Sequence, residues 1–227
     1  MTRQVFDQKL QEMQDRLLAL GSEVEENILA SVDILRSQDF IQARRLIAAD
    51  DRINHEQMDI ETKSLTLIAT QQPLATDLRL LASVIAIATE LERINDYAKG
   101  IAKIALMIGE QPLLPPAADL PAMAQKAQSM LHRSLQTFVK RDVPAAYAIH
   151  AEDDEVDILY DRVYKDLVAL IAADPDHMDQ ATQLLWAAHN LERTADRVSN
   201  ICERVVFTTT GDIVEMPEEE EIPYPQS

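Results

Sequence analysis

Nine apolar residues follow one another at alternating spacings of four and three: Leu80, Val84, Ile87, Leu91, Ile94, Ala98, Ile101, Ala105 and Ile108. A seam without a fault over some thirty residues admits one local structure, a long α-helix whose apolar stripe packs against other helices. The rest of the chain agrees with it. Only four glycines and 4% aromatics, with abundant Ala, Leu, Ile, Glu and Gln, favour helix over sheet. A length of 227 residues suffices to bury a sizeable core.

Residues 2–38 read as a first helix, with Phe6, Leu10, Met13, Leu17, Leu20, Val24, Ile28, Val32 and Leu35 on its apolar face. Gly21 interrupts the pattern without changing its phase, so the helix is expected to run through it. Asp39 is a natural cap for a second helix ending near Gln71, and Pro73 stands where the third should begin. Gly109 stops the third helix, and the proline-rich stretch 111–118 follows as a linker. The plan then repeats: a helix over 120–141, an Asp142 cap and a helix to about 172, a break at Asp174–Pro175, and a last helix to about 210 ended by Gly211. The expected architecture is therefore all-α, six long helices in two tandem three-helix bundles over 1–112 and 117–212. The remaining stretch, 213–227, is acidic and proline-rich and is expected to be disordered.

The repeat is visible in the residues. Leu91 to Ile101 reads LERINDYAKGI, and one hundred positions later Leu191 to Ile201 reads LERTADRVSNI; Leu, Glu, Arg, Asp and Ile recur in place. Residues 39–54 and 142–157 echo more faintly, sharing three Asp and two Ala. Each copy of the motif sets two carboxylates on one helical face, Glu92 with Asp96 and Glu192 with Asp196. Chance supplies about seven acidic pairs at that spacing in so acidic a chain, so one pair alone signals nothing. Height along the helices adds information. Asp50 and Asn54 lie as far before Pro73 as Glu92 and Asp96 lie after it, and Asp153 and Asp157 stand in the same relation to Glu192 and Asp196 across Asp174–Pro175. Antiparallel helices about 8–10 Å apart would bring those groups level.

The seam also places Glu92, Asp96, Lys99 and Lys103 on a solvent-accessible flank, matched by Glu192, Asp196, Ser199 and Glu203 with Asn200 alongside. The metal candidates are accordingly Asp153, Asp157, Glu192, Asp196, Asn200 and Glu203 in the second bundle, and Asp50, Asn54, Glu92 and Asp96 in the first. Oxygen donors of this kind favour hard cations such as Mg, Mn, Ca or ferric iron, with no thiol or imidazole set of the zinc kind. The first cluster is the weaker, because Asn54 replaces an acid and Lys103 is expected to ion-pair with Glu92 or Asp96. No histidine falls in a Glu-x-x-His motif, which sets aside the buried di-iron class. Cys202 reads as a structural thiol, Trp186 and the methionines as packing residues, and Arg93 and Arg193 as partners of nearby acids.

A formal charge of −18 excludes a general nucleic-acid binder and an anionic-lipid binder, and suits a protein that meets cations or a basic partner. A single cysteine precludes an intramolecular disulfide, the N-terminus has no apolar signal core, and the longest apolar run is far short of a membrane span, so a cytoplasmic location is expected.

The paired LER-x-x-D segments, the turn QQPLATDLR (71–79) and the NICE sequence (200–203) resemble the PhoU family of bacterial phosphate-transport regulators. The resemblance covers the chain from the first helix to about Gly211. It implies two similar three-helix bundles whose carboxylate motifs, here Asp50, Glu92, Asp96, Asp153, Asp157, Glu192 and Asp196, hold divalent or ferric ions (Fe, Mn, Mg or Zn). It further implies a homodimeric, non-enzymatic negative regulator of the phosphate-starvation response. Such a protein links a phosphate ABC transporter to a sensor histidine kinase, peripheral to the inner membrane through those partners. The competing readings are an accessory protein of another phosphate carrier and a metal-dependent phosphatase.

Overall fold

The computed structural model describes residues 2–216. Seven α-helices are found there and no strand: α1 (Arg3–Ser37), α2 (Phe40–Gln71), α3 (Ala75–Ile108), α4 (Leu120–Lys140), α5 (Val143–His150), α6 (Asp153–Ala173) and α7 (Met178–Thr210). Asp39 caps α2 by accepting from the Ile41 and Gln42 amides, and Asp142 caps α5 through the Ala145 amide, as the sequence leads one to expect. Gly211 closes α7 at φ 91°, a conformation glycine adopts without a Cβ penalty.

Three local expectations need correction. Pro73 lies outside the third helix, which begins two residues later at Ala75. The single helix expected after Asp142 is broken at residues 151–152 into α5 and α6. Asp153, Asp154 and Glu155 crowd the first turn of α6, where carboxylates offset the positive end of the helix dipole. Glu152 at the break is gripped by α4, through Arg133 at 2.6 and 2.5 Å and Lys126 at 2.7 Å. Those cations, Arg133 foremost, hold the Glu152 carboxyl down at about 2 against the opposing effect of burial. The proline-rich linker is also packed rather than loose: it forms a 3₁₀ turn (Pro115–Ala118), and the Gln180 side chain of α7 bonds both the Leu114 amide and the Pro112 carbonyl.

All nine residues of the seam in α3 are buried, Val84, Ile87, Leu91 and Ile94 completely. Each such aliphatic side chain is worth about 1.5–3 kcal/mol over an exposed one. Helix α3 packs on α1, α2 and α7, and α7 packs on α3, α4, α5 and α6, so the two motif-bearing helices form the centre of the molecule and one core runs through both bundles. They run antiparallel. Arg79 and Ser83 of α3 meet Thr208 of α7, Glu90 meets Arg197 and Asn200, and Gly100 meets Asn190.

Gly21 does lie within an unbroken α1, and its reason is tertiary. A Cβ there would sit 2.2 Å from Cδ1 of Leu135 in α4, and Leu135 is itself buried. Gly21→Val is therefore expected to lower stability by about 2–3 kcal/mol through overpacking, read as a lower urea midpoint; an unchanged midpoint would show that α4 yields at no cost.

Of the tail expected to be disordered, 217–227 lies outside the described residues. Within 213–216 the expectation fails at Met216, which is buried at 4% exposure and joins the core.

Candidate metal centre

The turn at Asp174–Pro175 sets α6 and α7 antiparallel, and Tyr160 of α6 lies beside His189 of α7, ring centroids 6.0 Å apart, at the height the turn requires. One turn or two further from that junction the same alignment brings four acids together, Asp153 and Asp157 from α6 with Glu192 and Asp196 from α7. Their mutual repulsion is felt in their protonation. Burial first, then the charges of Asp196 and Asp157, push Asp153 up to about 7, with the Ser199 hydroxyl opposing. Burial, then Asp196, Asp157 and Asp153, push Glu192 up to about 7 as well.

Two oxygens of this cluster are buried with no hydrogen bond, Oδ1 of Asp153 and Oε2 of Glu192. Asp153 Oδ2 accepts a single bond of 3.3 Å from Ser199, and Glu192 Oε2 lies 2.9 Å from His189 Nδ1 without bonding geometry. Desolvated acceptors left without donors are costly, and the donor set suits a hard cation. Among the described residues no three carboxylate, imidazole or thiol groups are drawn together tightly enough to hold an ion as they stand. Asp157 and Asp196 stand on exposed positions at the edge of the cluster.

Beside the cluster opens a cleft of about 530 Å³ lined by His150, Asp153, Asp196, Ser199, Asn200, Glu203 and Met216, among others. Its two outer candidates are already engaged. Asn200 donates to Glu90 of α3 at 3.4 Å, and Glu203 accepts the Met216 amide at 3.0 Å.

The first cluster is built differently. Asp50 is not on a solvent-accessible rim but buried, at 5% exposure, and both its oxygens are occupied: Oδ1 by the Asn95 amide at 2.9 Å, Oδ2 by Lys99 at 2.6 Å and the Asn54 amide at 3.3 Å. Lys99 also reaches Asp96 at 2.5 Å. The ammonium that enters the cluster is thus Lys99 and not Lys103, which is exposed one turn further on. Burial opposes its charge, but Asp50 and Asp96 more than offset this and raise its pKa. Glu92 is raised by burial and by the charges of Asp96 and Asp50.

Other expectations divide. Cys202 is fully buried and its thiol is pushed up to about 12 by burial, as suits a packing residue. Trp186 is 60% exposed, and Met58, Met107 and Met178 are exposed too, so these do not pack as expected. Arg193 lies over the Tyr97 ring, 5.2 Å from its centroid, and acts on Glu192 through its charge rather than through a direct ion pair. The residues overlooked in the sequence are His150 and His189 at the second cluster, Asn95 at the first and Met216 against Glu203. His189 stands three positions before Glu192, an i,i+3 spacing that flags it.

Comparison with known proteins decides the kinship. The sequence profile of the PhoU domain matches residues 17–105 and 120–205, one match for each half. The chain belongs to the PhoU family. A PhoU relative from Clostridium acetobutylicum, described as a phosphate-specific transport system accessory protein PhoU homolog, is 36% identical over 217 residues, covering 95% of this chain and 99% of its own. A homolog of the same description from Streptococcus pneumoniae is 34% identical over 214 residues, covering 94% and 99%. Two PhoU crystal structures superpose with a TM-score of 0.86 each. That of the phosphate transport system regulatory protein from Streptococcus pneumoniae has 33% identity and covers 92% of this chain and 99% of that one. PhoU from Pseudomonas aeruginosa has 29% identity and covers 91% and 100%. The two-repeat PhoU fold read from the sequence is therefore the fold of this chain. No helix among the described residues is long and apolar enough to cross a membrane.

Proposed function

We propose that this chain is a metal-loaded accessory and regulatory protein of a phosphate-specific transporter, and that it restrains the phosphate-starvation response. The transport reading is carried by relatives of that description that align along nearly the whole chain. The metal reading is carried by the unsatisfied oxygens of Asp153 and Glu192 among four converging acids. Asp153, Asp157, Glu192 and Asp196 would hold a divalent or ferric ion (Fe, Mn, Mg or Zn), with Glu203 and Asn200 at the mouth of the cleft. In this reading the protein works as a dimer on the cytoplasmic side, docked between the ABC transporter and a sensor histidine kinase. It binds and transmits rather than catalyses.

Deletion in the native host is expected to derepress phosphate-starvation genes at high phosphate, with restoration by the wild-type gene. Unchanged expression would refute the regulatory reading. Turnover of a generic phosphate ester with added manganese, lost on Glu192→Ala with Asp196→Ala, would refute the non-enzymatic one.

A further inference from the structure

We infer that Lys99 is the resident cation of the first repeat: its ammonium bridges Asp50 of α2 and Asp96 of α3 where a metal ion would sit, so that the chain holds metal through its second cluster alone. This rests on the metal reading of the second cluster given above.

A metal ion in such a cluster does two things: it cancels converging negative charge, and it ties one helix to the next. Lys99 Nζ does both, at 2.6 Å from Asp50 Oδ2 and 2.5 Å from Asp96 Oδ1. Its side chain is only 20% exposed, so the charge is held inside the cluster rather than waving past it. The donors from Asn95 and Asn54 occupy Asp50 together with Lys99, so both oxygens of the buried carboxylate are taken; the bare oxygen that remains in this cluster is the amide Oδ1 of Asn54, which carries no formal charge to draw a cation.

The second repeat differs at each of these positions. Ser199 stands for Lys99, Ala195 for Asn95 and Asp157 for Asn54. Every donor that satisfies Asp50 is thereby shortened, deleted or turned into another acid. Asp153, the counterpart of Asp50, keeps one 3.3 Å bond from Ser199 and one buried oxygen with none. Three acids face an ammonium in the first repeat; in the second, the position of that ammonium is taken by the neutral hydroxyl of Ser199. A metal ion entering the first cluster must also displace a cation that is covalently tethered and cannot diffuse away, which amounts to competing with a high effective concentration.

The test uses the full chain, stripped with chelator and titrated with Mn²⁺, bound ion being counted from the loss of the free-ion electron paramagnetic resonance signal. Glu92→Gln with Asp96→Asn is expected to leave the number of ions bound unchanged from wild type. Lys99→Ser is expected to raise it by at least one per chain, and adding Asp96→Asn to Lys99→Ser to cancel that gain. Lys99→Gln, which keeps a donor near Asp50, carries the same expectation if Lys99→Ser does not fold. Loss of ions from Glu92→Gln with Asp96→Asn, or no gain in a folded Lys99 variant, overturns the inference. The parent reading is judged separately, on Glu192→Gln with Asp196→Asn. If that variant binds as wild type does, or wild type binds nothing, the second-cluster assignment falls, while a gain of ions in the Lys99 variants would still mark the lysine as the first cluster's cation.

Discussion

Asp153→Asn combined with Glu192→Gln is expected to abolish manganese retention at pH 8 while raising the melting temperature of the metal-free chain. The two effects share one cause. These are the two most desolvated acids of a four-acid cluster, and each owes its raised affinity for protons to burial and to its neighbours' charge. Neutral amides of nearly the same shape relieve that repulsion and let the buried atoms donate as well as accept. The same exchange removes the charge a cation needs, at a cost exceeding the ~10–100-fold that loss of an outer-shell partner brings. Isothermal titration with Mn²⁺ beside calorimetric melting checks both halves. A variant that loses metal and melts lower in chelator would instead assign these acids to the framework of the helix pair.

Without metal, stability is expected to fall as pH rises from about 4.5 to about 7. Asp153 and Glu192 titrate near 7 in the folded chain, against 3.8 and 4.5 ordinarily. Between those limits the folded state binds more protons than the unfolded, so the slope of stability with pH is negative there. After discounting for partial exposure, each group contributes on the order of 1–2 kcal/mol. At about 2–4 °C per kcal/mol for a chain of this size, the combined shift is readily measured. Glu152 acts the other way and in another window: held at about 2, it contributes stability above about 4.5 that is lost as pH falls towards 2. Saturating Mn²⁺ is expected to reverse the slope between 5 and 8, because metal and protons compete for the same oxygens. Melting curves at pH 5 and 8, with chelator and with Mn²⁺, decide it; a metal-free melting point that does not move between them would remove the cluster's electrostatic basis.

Much of this is legible in the chain because helices impose simple rules. The seam from Leu80 to Ile108, the Asp39 and Asp142 caps and the glycine stops each follow from local geometry, and they place the long helices and the turns between them to within a few residues, the interior break after Asp142 excepted. Turns in turn set heights, which is why Asp50 can be placed level with Glu92 and Asp96, and Asp153 with Glu192 and Asp196. The break at residues 151–152 escapes periodicity, although three acids in a row at 153–155 hint at a new helix start. What tips it is the capture of Glu152 by Arg133 and Lys126, cations from another helix.

From the chain alone came the fold, the repeat and the identity of the acids that meet. Only the tertiary structure decided which cluster's innermost acid is satisfied and which is left wanting. Lys99 and Lys103 are alike in chemistry and lie on one flank, yet only Lys99 reaches both Asp50 and Asp96. Asp50 lies buried, and Met216 turns back to donate to Glu203. Periodicity ranks residues by the face they occupy. The reach of a side chain, the depth of an oxygen and the return of a distant segment depend on distances across helices, which no spacing along one helix records.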